Sequence, residues 1–108
     1  MYKPLPDSLT IKQSKVNGLG LFAKESIPQA MNLGSTHLRL ACIDNQETIF
    51  RTPLGGFINH DNDPNCVKVE LHAGRNDPTC LTKKWNLVTL KDIKKGEELT
   101  LRYTFYNV

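Results

Sequence analysis

Three short segments hold the residues whose types and spacing could do chemistry. The first, residues 16–23 (VNGLGLFA), carries Gly18 and Gly20 one residue apart. Because glycine lacks a Cβ, this pair lets the backbone approach a ligand closely or adopt positive φ. On its own, however, the pattern favours a hairpin turn that leads into a buried strand at Leu21 and Phe22. It is not a dinucleotide-binding fingerprint, since the third glycine, the following helix and the later acidic residue are missing.

The second segment, residues 55–66 (GGFINHDNDPNC), is dense in hydrogen-bonding side chains. Asn59 and Asn65 each offer amide donors and a carbonyl acceptor, and His60 offers one of each when it is neutral. These side chains could hold a ligand. They could also simply stabilise a turn, which is the ordinary role of asparagine next to aspartate and proline.

Neither the acidic residues nor the cysteines are spaced as metal ligands. If Asp61 is the first position of a calcium loop, the sixth is Cys66 instead of glycine and the twelfth is His72 instead of glutamate. The remaining cysteines, Cys42 and Cys80, form no close pair of the kind that zinc sites use. We therefore expect no metal, no disulfide framework and reduced thiols with structural roles.

The third segment, residues 91–103 (KDIKKGEELTLRY), predicts a solvated turn over residues 94–98 that leads into a strand. Tyr103 closes the apolar side of that strand and would, from this pattern alone, be a core residue. No serine or cysteine stands in a recognisable nucleophile motif with His37, His60 or His72, and no phosphate-binding loop is present. Conventional hydrolase chemistry is therefore disfavoured.

The elements that must position these segments are predicted to be strands. Apolar and polar residues alternate over residues 38–42, 66–72 and 99–103, and residues 85–90 are rich in β-forming types. At most one short helix is expected, near residues 44–51. With 108 residues and 12.2 kDa, the sequence predicts a mostly-β single domain, residues 1–108, around one modest core.

The charge balance narrows the classes of partner and location. A net charge of +3, from 14 basic and 11 acidic residues, is weak for a dedicated nucleic-acid binder. No apolar run reaches the roughly 20 residues of a membrane helix, and the N-terminal residues lack a secretory signal. We therefore expect no membrane partner, and a cytoplasmic location or the nucleus of a eukaryotic host cell. A nucleic-acid partner is disfavoured, and the most distant alternative is a small β-barrel that binds nucleic acid through Lys83, Lys84, Lys91, Lys94 and Lys95.

Taken in order, the three segments resemble the motifs of the SET-domain family, the protein lysine methyltransferases. Residues 18–23 resemble its opening glycine-x-glycine motif. Residues 57–60 with 64–66 resemble F-I-N-H-S-x-x-P-N, and residues 97–103 resemble G-E-E-L-T-x-D-Y. The resemblance extends over residues 9–106, and three motifs in order are far more specific than any one of them.

The resemblance implies a fold, a cofactor and roles for particular residues. The fold would be several small β-sheets around a knot-like, threaded C-terminal segment, and the cofactor would be S-adenosyl-L-methionine. Tyr103 would be the catalytic residue, and Phe57 and Phe105 would line the substrate channel. The implied cofactor-binding residues are Gly18, Leu19, Gly20, Asn59, His60 and Tyr106.

The sequence also departs from the family pattern. Asp61 stands where serine is common, Arg102 where an acidic residue is common, and Leu19 where some small viral members carry a tyrosine. No cysteine-rich tail follows Tyr103. Small standalone relatives compensate by dimerising, so we expect a homodimer that methylates a lysine-containing protein or peptide. The departures leave a non-catalytic SET-like interaction module as the alternative.

Overall fold

Strands make up most of the regular structure in the computed structural model, which describes residues 5–15, 18–43, 46–72 and 81–102. In chain order the elements are β1 (Leu9–Gln13), β2 (Leu19–Ala23), β3 (Asn32–Ile43), β4 (Gln46–Arg51), α1 (Pro53–Phe57), β5 (Asn59–His60), β6 (Cys66–His72), β7 (Leu81–Thr89) and β8 (Glu98–Leu101). The strands form a sheet in the order β1-β2-β8-β6-β7-β3-β4, and β5 pairs with β8 outside this path. The mostly-β prediction is confirmed.

The predicted helix is wrong in position. The region near residues 44–51, where a helix was expected, contains β4, which pairs with β3 and carries the β-forming residues Ile49 and Phe50. The helix that does form, α1, begins at Pro53, directly after the N-cap Thr52. The Thr52 hydroxyl accepts a hydrogen bond from the Gly55 amide at 3.3 Å, which satisfies one of the amides at the helix N-terminus. Gly55 and Gly56 lie within this helix, although glycine disfavours helical structure.

The core lies where β1, β2, β8 and β7 meet α1 and the loops before β3 and β8. Leu21, Leu87 and Leu99 are completely buried in it. The buried apolar residues that form this cluster are Leu9, Leu21, Ala23, Ile27, Leu33, Leu54, Ile58, Cys66, Leu87, Ile93, Leu99 and Leu101. No helix within the described residues is long and apolar enough to cross a membrane.

Strand β6 is confirmed, but its apolar side is not the buried side. Val67, Val69 and Leu71 are 37–40% exposed, whereas Cys66 on the opposite face is 1% exposed. Period-two alternation distinguishes the two faces of a strand. Which face is covered depends on the elements packed against the sheet, and here the core lies on the side of Cys66.

Strand β8 is held on both edges by one continuous stretch of chain. Leu101 pairs in parallel with His60 of β5 and also with Cys66 of β6. The Asp61 amide donates to the Leu101 carbonyl at 3.1 Å, where the stretch turns past the end of the strand. The predicted threading of the final segment concerns the residues after Arg102, which lie outside the described residues, so the knot stays a prediction.

His37 of β3 is a buried, neutral imidazole. Its Nδ1 lies 2.9 Å from the Thr36 hydroxyl, which donates its only proton to the Trp85 carbonyl at 3.1 Å. Nδ1 must therefore donate, which fixes the tautomer. Burial, together with the charges of Lys68 and Arg51, lowers the pKa of His37 from 6.5 to about 4.

We expect stability to fall on acidification because of this histidine. Below pH 6.5 the unfolded chain takes up a proton at His37 that the folded chain does not bind until about pH 4. The contribution of His37 to the free energy of unfolding is complete above pH 6.5. Up to about 3 kcal/mol of it is lost as the pH falls from 6.5 to about 4. The free energy of unfolding, measured by urea denaturation at several pH values from 7 to 4, should fall less steeply with decreasing pH for His37→Gln than for His60→Gln. Equal slopes for the two variants would contradict the prediction.

Candidate functional site

Residues far apart in sequence meet where β2, β5 and β8 converge. The Asn59 side-chain nitrogen Nδ2 donates to the Leu19 carbonyl at 3.2 Å and to Oε2 of Glu98 at 2.9 Å. Asn59 is 7% exposed, so its amide is held in a largely buried position. Because a carbonyl and a carboxylate can only accept, the nitrogen must face them and the amide oxygen must lie on the other side.

The Glu98 carboxylate is the centre of this cluster. The hydroxyl of Ser14, directly after β1, lies 2.8 Å from each of its oxygens. The sequence placed Glu98 in a solvated turn, but the structure places it half-buried on β8, while its neighbour Glu97 is exposed. Two glutamates in a row carry no signal that separates them. Strand pairing alone turns Glu98 toward Asn59, and Ser14 was likewise missed.

Asn65, the second asparagine of the motif region, is a clamp on β8. Its Nδ2 donates to the Glu98 carbonyl at 2.9 Å, and its Oδ1 accepts from the Thr100 amide at 2.8 Å. The Asn65 amide in turn donates to the Thr100 hydroxyl at 3.3 Å. A buried side chain that satisfies backbone groups of a neighbouring strand has a structural role. The two asparagines therefore hold β8 at two levels.

The glycines of the first segment serve different purposes. A Cβ at Gly20 would collide with the Glu98 carboxylate and would lie 3.0 Å from Nδ2 of Asn59, so only glycine leaves room for the cluster. Gly18 has φ +46°, and a Cβ there would meet nothing within 4 Å, so glycine is required by backbone conformation and borders open space. The Leu19 side chain between them is 51% exposed.

The remaining predicted site residues lie elsewhere or outside the described part. His60 is half-buried, and its Nε2 lies 3.1 Å from Oδ1 of Asn62 in the loop that follows. Phe57 packs, partly buried, against the hydrophobic core. Tyr103, Phe105 and Tyr106 lie outside the described residues. The structure thus brings Leu19, Gly20 and Asn59 together, and the roles predicted for all these residues stay predictions.

The described thiol and the described cleft lie outside this cluster. The free cysteine Cys66 is packed in the hydrophobic core, as predicted, and burial raises the pKa of its thiol to about 12. A cleft of about 210 Å³ opens beside Ile27, Met31 and Leu33, near the end of β2 remote from Gly20. It is smaller than the roughly 300 Å³ at which ligand pockets usually begin. Within the described ranges, no three His, Cys, Asp or Glu side chains are grouped to hold a metal.

Comparisons with known proteins give a family and a fold. The family model of the SET domain matches residues 32–104. A solved structure of a candidate histone methyltransferase from Plasmodium falciparum superposes with a TM-score of 0.71 at 16% identity, over 92% of this chain and 95% of that one. A structure of Chaetomium thermophilum Polycomb Repressive Complex 2 bound to GSK126 gives 0.61 at 20% identity, over 89% of this chain and 15% of that one. Curated protein sequences gave no match. At these identities, the structural likeness is one of fold.

Proposed function

Because this chain belongs to the SET-domain family, we propose that it is an S-adenosylmethionine-dependent protein lysine N-methyltransferase. The observation that carries the proposal is the pair of hydrogen bonds from Asn59 to Leu19 and Glu98. These bonds join three segments whose motifs resemble the family pattern and which are separated by about 40 residues each. Such convergence is what an assembled site requires, and isolated motif matches would not produce it.

The residues of the cluster fit an amino-acid-bearing cofactor. Gly18 borders open space, and the exposed residue Leu19 lies beside the oriented Asn59 amide, which also binds the Glu98 carboxylate. Donors and acceptors of this kind match the ammonium and carboxylate of an amino acid. When bound, S-adenosylmethionine supplies an activated methyl group on a sulfonium. We assign its binding to these residues: Gly18, Leu19, Gly20, Asn59, His60 and Tyr106.

The proposed chemistry asks the protein for alignment more than for a strong base. Methyl transfer to an amine is an in-line displacement, which depends on holding the two reacting atoms in register. A free lysine has a pKa of about 10.4, and a partly desolvated channel near a positive charge lowers it, so the neutral amine becomes available. Tyr103 would orient the substrate nitrogen through its hydroxyl, and Phe57 and Phe105 would wall the channel.

The direct test is transfer to a lysine peptide. The protein is incubated with methyl-labelled S-adenosylmethionine and a library of lysine-containing peptides, and the products are read by mass spectrometry. We expect methyl groups on lysine and none on matched peptides in which lysine is replaced by arginine. Absence of both transfer and calorimetric binding of the cofactor would contradict the proposal.

The alternative, a non-catalytic interaction module, depends on the departures from the family motifs. Asp61 and Arg102 are both exposed, and Oδ1 of Asp61 accepts a hydrogen bond from the Asp63 amide at 2.9 Å within its own loop. Neither is among the hydrogen-bond partners of Asn59 and Glu98 described above. The departures therefore leave the cluster intact, which favours the enzyme. Cofactor calorimetry separates the two functions, since the module need not bind it.

We further propose that two copies of the chain associate through the outer face of β6, β7, β3 and β4. In one row across this face, Leu71 lies opposite Lys84, Lys84 opposite Leu38, and Leu38 opposite Phe50. Phe50 is 50% exposed. Apart from Lys84 this row is apolar, and apolar side chains left open to water on a sheet are typical of an interaction surface. Two such faces can pack as in a sandwich.

Charge placed on this face should separate the copies. We expect Leu71→Lys to convert a homodimer to a monomer in light scattering, because it would bury a second cation, directly opposite Lys84, in the interface. Ile49→Lys is the matched control, since Ile49 is 47% exposed but faces the opposite side of β4. A wild-type mass equal to one chain at working concentration would contradict the dimer. Dissociation by both variants would contradict the choice of face.

A further inference from the structure

We propose that Glu98 is a positioning residue, which fixes the orientation of the side-chain amide of Asn59 within the cluster. The inference rests on the proposed function, because it takes Asn59 as a ligand-binding residue.

Two hydrogen-bond acceptors orient the side-chain amide of Asn59. A side-chain amide has two N–H protons, and the Leu19 carbonyl and the Glu98 carboxylate each accept one of them. Rotating the amide by half a turn would place its oxygen against two other acceptors. Glu98 therefore selects one of two rotamers that are equal in shape, because its oxygen, like that of the Leu19 carbonyl, accepts the N–H that faces it.

Glu98 is itself held by several elements. Ser14 contacts both carboxylate oxygens at 2.8 Å, and Asn65 binds the Glu98 carbonyl at 2.9 Å. Gly20 supplies the space that the carboxylate fills, because a Cβ there would collide with it. Glu97, one residue earlier, instead accepts from the Lys94 amide at 3.0 Å in an exposed turn. The carboxylate of Glu98 is thus preorganised on the amide of Asn59.

A competing role for Glu98 is direct charge contact with a cationic ligand, and two conservative variants distinguish the roles. Glu98→Gln keeps the reach of the side chain: its oxygen can accept from Asn59, and its nitrogen can donate to the Ser14 hydroxyl. Glu98→Asp keeps the charge but withdraws the carboxylate by one methylene, away from Asn59. Positioning predicts that the glutamine variant is tolerated and the aspartate variant is not, and charge contact predicts the reverse.

The experiment uses two readouts on the full chain. Calorimetry with S-adenosylmethionine should give about tenfold weaker binding for Glu98→Asp and a change within about threefold for Glu98→Gln, as expected when one hydrogen bond is lost or retained. In the protein without cofactor, the side-chain amide resonances of Asn59 in a ¹⁵N correlation spectrum should move in Glu98→Asp and stay near their wild-type positions in Glu98→Gln. Glu97→Asp and Glu97→Gln are the matched controls and should change neither readout.

The outcomes are separable from those of the proposed function. If the wild-type chain fails to bind S-adenosylmethionine, the proposed function fails, and the Asn59 resonances still decide the orientation. Equal loss of affinity in both Glu98 variants, or greater loss in Glu98→Gln, overturns positioning. Should Glu98→Asp not fold, Ser14→Ala replaces it, because it removes the hydroxyl that steadies the carboxylate. Asn59 resonances that stay unchanged in that variant also overturn the inference.

Discussion

A Tyr103→Phe variant should transfer methyl groups about 100- to 1,000-fold more slowly than the wild type while it binds S-adenosylmethionine with unchanged affinity. The substitution removes one hydroxyl, and loss of a single oriented donor at a reacting centre has this magnitude. Tyr103 lies outside the described residues, and its catalytic role is the one that the family resemblance implies. Leu101, two residues earlier, pairs with both His60 and Cys66.

Single-turnover rates with saturating cofactor and a methyl-accepting peptide measure this effect without interference from product release. Tyr2→Phe is the control for loss of a tyrosine hydroxyl outside the three motif segments, and it should keep the wild-type rate. Full turnover by Tyr103→Phe would show that the hydroxyl has no role in transfer. Weaker cofactor binding at an unchanged rate would move Tyr103 from catalysis to binding.

How much of the fold the sequence predicts is clearest in β6 and α1. Alternation identified residues 66–72 as a strand, since period two is a local property of the chain. It could not show that Val67, Val69 and Leu71 face outward, because burial is decided by β7, β8 and the core on the other side. The helix at Pro53–Phe57 was missed because two glycines disfavour a helix locally. Contact with β3 overrides that preference.

The site divides in the same way. Motif order predicted Asn59 beside the glycine segment, and the structure places its amide on the Leu19 carbonyl. Glu98 and Ser14 escaped prediction because their contacts follow from pairing between β2, β8 and β5, which no local pattern encodes. Asn65 has the same residue type as Asn59, yet it binds the backbone of β8, whereas Asn59 joins the Leu19 carbonyl to the Glu98 carboxylate. The residue types show which hydrogen bonds each side chain can form, and the pairing of the strands determines which of these bonds form.

Gly55→Ala should destabilise the fold by about 3 kcal/mol or more, whereas Gly56→Ala should stabilise it slightly. A Cβ at Gly55 would collide with the Thr36 carbonyl and would lie 3.1 Å from the His37 ring. The carbonyl cannot retreat, because it accepts from the Thr52 amide at 2.9 Å and Thr36 is completely buried. Overpacking against fixed backbone gives losses at the upper end of those seen for single substitutions.

Gly56→Ala is a closely matched control, since it is the same substitution one position later in the same helix. A Cβ at Gly56 would meet nothing within 4 Å, so the change should only restrict the unfolded chain and raise helix propensity, by about 0.5–1 kcal/mol. Thermal denaturation should separate the two variants clearly, at roughly 4–8 °C per kcal/mol for a chain of this size. Equal melting temperatures would mean that α1 does not pack against β3 through Gly55.

Because α1 ends one residue before Ile58 and two before Asn59, a Gly55→Ala chain that still folds should also bind S-adenosylmethionine less tightly, with the Asn59 amide displaced from Leu19.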